Sequence, residues 1–384
     1  MIIISFLLAV VCGVVVGSFT GVTPGLHMNL VASLIVSLHF PGNIFVLLFL
    51  VSLSVTHTFL DAIPAVFLGF PSSDTIASFL PAHRFLLNGR GFDAVALLTF
   101  GSFLGLLFSL IFSPVVFFVT PFLFSFLRPY TFWIVFFILF FLVLRDYFPL
   151  RAFIVVLLSG VLGFYVLRFS NVSEPLLPLL SGLFGVSSII SGLGVSKIPL
   201  QFSTRLNFSF FSSLKGCILG FFSGFLPGVG SAQMAFFSRS KSDDDYLLSV
   251  GALNTSSLIF TIIFASVLSR SRSGTGEALL SLASIDSFVL LALLLAVLIS
   301  GCAAFFSSLL TAKFFSLYIS SVPFRIISFV VLFLIFSAVF LVSGIPGISV
   351  LLLSSGVGIF SIILGCSRSH AMACIIVPVL FLLW

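Results

Sequence analysis

Charged residues are scarce in this sequence of 384 residues: aspartate, glutamate, lysine and arginine together make up 7% of it. Soluble domains carry about 25% charged residues, so the composition excludes an ordinary soluble globular protein. Hydrophobic residues make up 60% of the chain and form repeated apolar runs. Runs of about 17 to 25 such residues can cross a bilayer as helices. Because these runs are continuous rather than alternating, they predict an all-α polytopic membrane protein instead of a β-barrel.

Cysteine is also scarce, and no two cysteines are spaced as CxxC. The five lie in or beside apolar runs, at Cys12, Cys217, Cys302, Cys366 and Cys374. This pattern predicts neither a disulfide framework nor a zinc site. Because GxSxG, Walker A and HExxH motifs are missing, we expect no enzyme, no metal centre and no primary pump. The net charge of +6 comes without a basic run, so no nucleic-acid partner is expected.

Roughly ten to twelve transmembrane or re-entrant helices are predicted from the apolar segments. Two segments are predicted at 94–112 and 114–127, and two more at 325–343 and 346–365. The longest polar stretches lie at 81–93, 196–209, 238–246 and 269–278.

The two halves of the chain carry the same motif. Shifting the sequence by 203 residues lays GVVVGSFTGVTPG (13–25) on GCILGFFSGFLPG (216–228). The shared residues are Gly13, Gly17, Gly21, Pro24 and Gly25 in one copy and Gly216, Gly220, Gly224, Pro227 and Gly228 in the other. The match indicates duplication, with repeats at 1–200 and 201–384. Repeats with Gly/Pro-interrupted segments are typical of secondary transporters, which favours inverted repeats here.

The motif has a physical rationale. Glycine at every fourth position gives a flat helix face on which another backbone can lie closely, so the six ladder glycines are predicted to pack helices. The Pro-Gly pair ends one helical arm and allows another to begin, with unpaired N–H groups at its start. Two such starts facing each other would bind an anion. The alternative is ordinary helix packing with a proline kink.

Polar residues follow both breaks and are predicted to bind the substrate together with the Pro-Gly pairs. They are His27 and Asn29 after Pro24–Gly25, and Gly230, Ser231 and Gln233 after Pro227–Gly228. A histidine here could donate to an anion or carry a proton. The alternative role for these residues is helix capping or packing.

An acidic residue lies within a later apolar run. His57 and Asp61 are four residues apart and share one helix face. Because an intramembrane aspartate is costly, we predict that the pair couples transport to a cation, with Asn254 at roughly the matching place in the second half. A structural ion pair is the alternative. Asp74 is interpreted as a helix cap, with coordination as the alternative.

Two further features lie near the C-terminus. The stretch SGIPGIS (343–349) contains a third Pro-Gly pair and is interpreted as a hairpin. Arg368 and His370 are interpreted as membrane-interface residues, with an anion contact as the alternative.

The repeated G-x3-G-x3-G-x2-P-G motif resembles the TctA family, the large membrane subunit of tripartite tricarboxylate transporters. HTFLDAIPAVFLGFPSSDTIASFLPAHRFLLNGRG (57–91), GALNTSSLIFTIIFASVLSRSRSG (251–274) and SRSHAMACIIVPVLFL (367–382) resemble its archaeal branch. The resemblance implies transport of small organic anions such as carboxylates, driven by an ion gradient. It also implies a cell-membrane location, with a small membrane subunit and an extracellular binding protein as candidate partners.

These observations together predict a secondary transporter of a small anion. Na⁺ or H⁺ is the coupling ion, no other cofactor is expected, and membrane lipid surrounds the protein. The oligomeric state stays open, with a homodimer among the alternatives. A polyprenyl-phosphate or other lipid-carrier translocase is the alternative function, since the same helix ends would hold a lipid phosphate. A lipid-modifying enzyme or a scaffold has less support in the residues.

Overall fold

The structure is a computed structural model that describes residues 2–26, 28–37, 42–193, 198–204, 206–240, 242–271 and 273–384, without the side chains of residues 2, 3 and 29. In these ranges all regular secondary structure is helical, which confirms the predicted all-α class. Seven helical stretches are long and apolar enough to cross a membrane, and four shorter apolar helices accompany them. These eleven fall within the predicted ten to twelve.

The helices follow the order of the chain. The first half contains α1 (Ile2–Val22), α2 (Met28–Ser37), α3 (Ile44–Leu60), α4 (Ala62–Phe67), α5 (Ile76–Leu87), α6 (Gly91–Leu127), α7 (Thr131–Leu144), α8 (Pro149–Phe169), α9 (Leu176–Leu180) and α10 (Ser187–Gly192). A π-helical turn, Ser181–Val186, joins α9 to α10. The second half contains α11 (Phe210–Phe225), α12 (Ser231–Phe237), α13 (Asp243–Leu268), α14 (Gly274–Leu282), α15 (Ser287–Tyr318), α16 (Phe324–Ile363) and α17 (Ala373–Leu383).

The predicted boundary between segments 94–112 and 114–127 is wrong. One continuous helix, α6, runs through Pro114. Proline cannot donate to the carbonyl four residues earlier, which here belongs to Leu110. The hydroxyl of Ser113 donates to that carbonyl instead, at 2.7 Å. The lost backbone hydrogen bond is therefore replaced, and the helix continues.

Two short helices lie where the sequence indicated polar connections. Helix α5 overlaps the stretch 81–93, and α14 overlaps the stretch 269–278. Both are amphipathic: in α5 the buried residues Ile76, Phe79 and Ala82 recur every third position. Such a pattern buries one face without producing an apolar run, which explains why the segment count missed these helices.

The glycines of α1 bring it directly against α3. Added Cβ atoms at Gly13, Gly17 and Gly21 would lie 2.6, 2.5 and 3.1 Å from the carbonyl oxygens of Phe49, Leu53 and His57, respectively. These distances leave no room for a larger side chain at the first two positions. The ladder thus packs the two backbones together, as expected for small residues at a helix contact.

The second ladder makes the same contacts with α13. Added Cβ atoms at Gly216, Gly220 and Gly224 would lie 2.1, 2.8 and 3.0 Å from the carbonyl oxygens of Ser249, Leu253 and Ser257, respectively. The three carbonyls contacted by α11 are each 200 residues after those contacted by α1. Residues of α3 and α13 therefore correspond at an offset of 200, three fewer than the offset between the glycine ladders.

Contacts between the halves are reciprocal at the same offset. Ser54 of α3 meets Thr275 at the start of α14, with 3.3 Å between the hydroxyl oxygens. Asn254 of α13 donates its amide to the carbonyl of Asp74, at 3.4 Å, just before α5. Each half thus contacts the other through the same pair of elements.

The long helices α6 and α15 cross the interface in opposite directions. Thr99 of α6 pairs with Ser308 of α15, with 2.9 Å between hydroxyl oxygens. One side chain further along α6, Leu106 packs onto Gly301, which lies earlier in α15. Progress along one helix is therefore matched by retreat along the other, so the two helices are antiparallel.

The chain reverses direction within α16. Gly344 has a left-handed backbone, with φ of +61°. Gly192 at the end of α10 lies against Phe324, in the first arm of α16, while Ser187 lies against Gly358 in the second arm. A straight helix would hold these two arms about 50 Å apart at the rise of 1.5 Å per residue. The predicted hairpin at SGIPGIS is present.

Candidate functional site

Both Pro-Gly pairs interrupt helices as predicted. Helix α1 ends two residues before Pro24, and α11 ends two residues before Pro227. Gly25 and Gly228 adopt left-handed backbones, with φ of +86° and +77°. Only glycine adopts this conformation without strain, so the sequence requirement at these turns is physical.

A polar cavity of about 90 Å³, here called the central cavity, lies between the two halves. The first half contributes Met28, His57, Thr58, Asp61 and Asp74, and the second contributes Ser231, Asn254, Ser257, Leu258, Thr261, Ser273 and Thr275. Most of the lining side chains end in oxygen. His57 and Asp61 are the residues that correspond to Ser257 and Thr261 at the offset of 200, so corresponding positions of α3 and α13 face one cavity.

A second, mainly apolar cavity of about 70 Å³ lies beside the first Pro-Gly break and shares His57 and Asp61 with the central cavity. Its walls include Pro24 and Gly25 from the break and Leu177 from α9. The side chain of Asp61 thus stands between the two cavities. The predicted neighbourhood of Pro24, Gly25, His57 and Asp61 is therefore present.

Asp61 lies at an interruption between α3 and α4. Its backbone N–H still donates to the carbonyl of His57, at 2.9 Å. Pro64 lacks the N–H that would reach the carbonyl of Leu60, so the helical hydrogen-bond pattern breaks here. Asp74 lies close enough for its carboxylate charge to act on Asp61. Two acidic side chains therefore share the central cavity.

The ring of His57 is oriented by α1. Its Nδ1 lies 3.2 Å from the hydroxyl oxygen of Thr20. That hydroxyl donates to the carbonyl of Gly17, so it accepts from the ring and fixes a proton on Nδ1. The first glycine ladder thus positions the histidine as well as packing the helices.

Asn254 supplies an unused acceptor to the central cavity. Its amide nitrogen donates to the carbonyl of Asp74, which fixes the orientation of the amide group. Its Oδ1 is buried and has no hydrogen-bond partner in the described part of the chain. A buried acceptor without a partner carries an energetic cost, and such atoms often mark ligand positions.

The second break contributes less than predicted. Gly228 packs under Val379, which an added Cβ would approach to 3.1 Å. Gln233 accepts from the N–H of Gly230, at 2.8 Å, and donates to the carbonyl of Ser369, at 3.3 Å, so it caps α12. Among the predicted substrate ligands after this break, Ser231 lines the central cavity.

Pro227, Gly228, Gly230 and Gln233 are not among the residues that line either cavity at Asp61. Their contact with substrate stays a prediction. His27 lies outside the described residues, and so does the side chain of Asn29.

Asp74 is placed differently from its predicted role as a helix cap. Thr75 is the residue that precedes α5, and Asp74 lines the central cavity. Sequence reasoning also missed Thr261 and Thr275 in the lining. The signal that finds them is the offset of 200 between α3 and α13, which emerges only from the packing of the glycine ladders.

Arg368 and His370 are buried rather than placed at a membrane interface, at 8% and 3% exposure. The ring of His370 lies 2.8 Å from a carboxylate oxygen of Asp146, which also accepts from the backbone N–H groups of Phe148 and Ser367. Burial of Asp146 favours its neutral form, but these hydrogen bonds outweigh burial and lower the pKa of Asp146. This pair holds the turn before α8 against the turn before α17.

The helices and cavities describe a multi-pass membrane protein with a polar site between its two halves. A sequence model of the tripartite tricarboxylate transporter TctA family matches residues 7–373. The chain belongs to the TctA family. It is 31% identical over 355 residues to a protein of Methanocaldococcus jannaschii titled uncharacterized, covering 88% of this chain and 87% of that protein. No solved structure matches the chain.

Proposed function

We propose that the protein is a secondary transporter that moves a small organic carboxylate together with a cation. The observation that carries this proposal is the acidic, oxygen-rich central cavity between the two halves. The family description, which names a tricarboxylate transporter, supports the carboxylate class. Under this proposal the protein is not an enzyme, and it acts in the cell membrane.

The charges of the central cavity favour obligatory coupling. The described lining contains the carboxyl groups of Asp61 and Asp74 and the ring of His57, but no lysine or arginine. At an effective dielectric constant of about 20, two like charges 4 Å apart repel by roughly 4 kcal/mol. A carboxylate substrate therefore binds well only after cations have neutralised the aspartates. Coupling follows from this order, because the empty carrier repels its own substrate.

The donor set fits Na⁺ as the coupling ion. Hard cations prefer carboxylate, carbonyl and hydroxyl oxygens. The carboxylates of Asp61 and Asp74, the unpartnered Oδ1 of Asn254 and the hydroxyl groups of Thr261 and Thr275 provide such oxygens in one cavity. Protonation of the aspartates is the other route to neutrality, and the experiment below separates the two.

The anion would lie where α2 begins. Met28, the first residue of α2, lines the central cavity, so the first N–H groups and the positive end of this ten-residue helix are directed to it. The adjoining cavity at Pro24 and Gly25 would accept the apolar part of the substrate. Asp61 stands between the two and would sense both the cation and the anion.

We further infer that residues 1–200 and 201–384 are inverted repeats. The reciprocal contacts of Ser54 and Asn254 support a pseudo-two-fold relation between the halves. The antiparallel course of α6 and α15 supports an axis in the membrane plane. In repeats of this kind, rocking one half against the other opens the cavity to each side in turn.

The family description also supports partners, since it names a tripartite transporter. Under this proposal a small membrane subunit and an extracellular binding protein assemble with the chain. A homodimer is compatible with the same site, since the central cavity is complete within one chain.

The proposal is tested by uptake of radiolabelled citrate into liposomes that contain the purified protein. An inward Na⁺ gradient, an inward proton gradient and no gradient are compared in the same preparation. We expect accumulation with the Na⁺ gradient. Accumulation with the proton gradient alone would assign H⁺ as the coupling ion, and absence of citrate uptake in all three would contradict the carboxylate proposal. Inhibition by a polyprenyl phosphate but not by unlabelled dicarboxylates would instead support the lipid-carrier function.

A further inference from the structure

A buried guanidinium group lies outside the central cavity. Arg368, in the turn before α17, is 8% exposed. Its Nη2 donates to the carbonyl of Phe184, at 2.8 Å, and to the hydroxyl of Ser187, at 2.7 Å. Nη1 donates to the hydroxyl of Ser188. Its Nε is buried without a hydrogen-bond partner among the described residues.

The protein holds this group without neutralising it. The described partners of Arg368 are carbonyl and hydroxyl oxygens, and none is a carboxylate. Two of the carbonyls, at Leu183 and Phe184, belong to the π-helical turn, and such turns occur frequently at functional sites. Burying a cation without a counter-ion is costly, so an anionic partner from outside the chain would be strongly favoured.

Arg368 faces a cavity of about 300 Å³, here called the arginine vestibule. Arg84 and Arg239 line the same cavity, and so does a single acidic residue, Asp243. Arg239 lies over the ring of Phe236, 4.2 Å from its centre, and makes no ion pair among the described residues. Arg84 is paired with Asp243 at 3.1 Å. The described lining therefore carries three positive charges and one negative charge.

Hydroxyl groups supplement the arginines. Ser367 and Ser369 line the vestibule on either side of Arg368, and their hydroxyl oxygens lie 2.7 Å apart. Guanidinium groups bind carboxylates through paired hydrogen bonds, and serine hydroxyls add single ones. The vestibule thus offers the basic donors that the central cavity lacks.

A thin wall separates the vestibule from the central cavity. Ser231 lines the central cavity, while its neighbour Ala232 lines the vestibule. On the other side, Asp74 lines the central cavity, while Ile76 and Ala77 line the vestibule. The wall consists of the first turns of α12 and α5, two short helices. A displacement of either would join the two cavities.

We propose that the arginine vestibule is an anion-binding site that captures a di- or tricarboxylate before it enters the central cavity. Arg239 and the Nε of Arg368 would hold one carboxylate group. A second carboxylate group would replace Asp243 at Arg84. The identity of the anion rests on the proposed function, whereas the site itself rests on the three arginines. Because the vestibule is already basic, it binds the anion without Na⁺.

The test is equilibrium binding of radiolabelled citrate to the full chain in detergent, in a Na⁺-free choline buffer of low ionic strength. Acetate and phosphate serve as competitors. We expect citrate to bind, and an equal concentration of acetate to compete at least tenfold less well. Binding of phosphate in preference to citrate would overturn the carboxylate assignment.

Three variants locate the binding. Arg239→Gln removes an exposed guanidinium, and its citrate dissociation constant is expected to rise tenfold or more. Asp243→Asn frees Arg84 and is expected to tighten binding severalfold. Arg128→Gln, an exposed arginine away from the vestibule, is the matched control and is expected to bind normally. An unchanged dissociation constant in Arg239→Gln and Asp243→Asn would overturn the proposal.

The variant Asp61→Asn separates this inference from the proposed function. We expect it to retain Na⁺-free citrate binding while losing Na⁺-driven uptake. If citrate fails to bind in choline buffer but Na⁺-driven uptake still requires Asp61, the vestibule is wrong and the transporter proposal stands. If citrate binds at the vestibule but uptake does not require Asp61, the vestibule stands and the central-cavity mechanism is wrong.

Discussion

The two halves of the protein share a backbone arrangement but differ in chemistry. In both, three glycines of one helix lie on three carbonyls of the next, and a Pro-Gly turn follows. At the positions that face the central cavity, however, the first half has His57 and Asp61 where the second has Ser257 and Thr261. Duplication preserved the packing, and the polar site became one-sided.

A second pair of corresponding contacts shows the same difference. The ring of His370 meets the carboxylate of Asp146 in one place. At 197 residues before His370 and after Asp146, the hydroxyl of Ser343 donates to the carbonyl of Ser173. The position of the contact is shared, while the ionisable groups occur on only one side. Ionisable residues in this fold are therefore specific to one half and predict function better than the repeat does.

The largest expected effect comes from exchanging the two versions of the cavity. Asp61→Asn removes the charge that binds the cation, so we expect Na⁺-driven citrate uptake to be abolished while the fold is retained. Thr261→Val, at the corresponding position, should reduce uptake by less than tenfold. Both are measured in liposomes, with Glu277→Gln as an exposed carboxyl-to-amide control. Equal losses in Asp61→Asn and Thr261→Val would show that the halves are equivalent after all.

The next effect tests whether the shared packing is equally important in both halves. Gly17→Leu and Gly220→Leu would each force a side chain into the facing helix, at 2.5 Å from the carbonyl of Leu53 and 2.8 Å from that of Leu253. We expect each to lower the free energy of unfolding by about 1–3 kcal/mol or more.

Thermal unfolding in detergent measures both glycine variants. Gly356→Leu is the matched control, because nothing lies within 4 Å of an added Cβ there. A ladder variant as stable as the control would contradict close packing in that half.

The ionisable pair at α17 gives a smaller, pH-dependent effect. Asp146→Asn loses the charge-assisted contact with His370, which should destabilise the protein by about 2 kcal/mol at pH 7. The pKa of Asp146 is lower in the folded protein, so its contribution is present above the unfolded pKa and is lost as the pH falls through the folded pKa. The melting temperatures of Asp146→Asn and the wild type should therefore converge on acidification below about pH 4. A difference that stays constant from pH 7 to pH 3 would argue against this contact.

The smallest expected effect concerns the unpartnered acceptor. Asn254→Leu removes Oδ1 from the central cavity and should weaken Na⁺ binding roughly tenfold. Ser54→Ala, at the corresponding position of α3, removes a hydroxyl that is paired with Thr275 and should change Na⁺ affinity little. The readout is the Na⁺ concentration that gives half of the maximal increase in melting temperature. A larger loss in Ser54→Ala would reverse the assignment.

The sequence predicted the features that depend on local backbone chemistry. Both Pro-Gly breaks, the hairpin at Gly344 and the packing of the glycine ladders follow from glycine and proline geometry, which acts wherever these residues occur. The helix through Pro114 was missed because its continuation depends on the Ser113 hydroxyl. Helices α5 and α14 were missed because amphipathic burial leaves no apolar run.

The site was predicted only in part, for a tertiary reason. The ladders match at an offset of 203, whereas the helices that they pack against match at 200, so the partners of His57 and Asp61 were located only roughly. Gln233 looked like a ligand because its use as a cap for α12 is visible only in the fold. Asp74 looked like a cap because its approach to Asn254 joins the two halves.

The central claim is that cation and carboxylate bind together at Asp61. It is tested most directly by the melting temperature of the purified protein with and without citrate, in Na⁺ and in choline, since a ligand that binds only the folded state raises it. We predict that citrate raises the melting temperature more in Na⁺ than in choline, and that this additional increase disappears in Asp61→Asn. An increase that is the same in both buffers, or that persists in Asp61→Asn, would contradict the account.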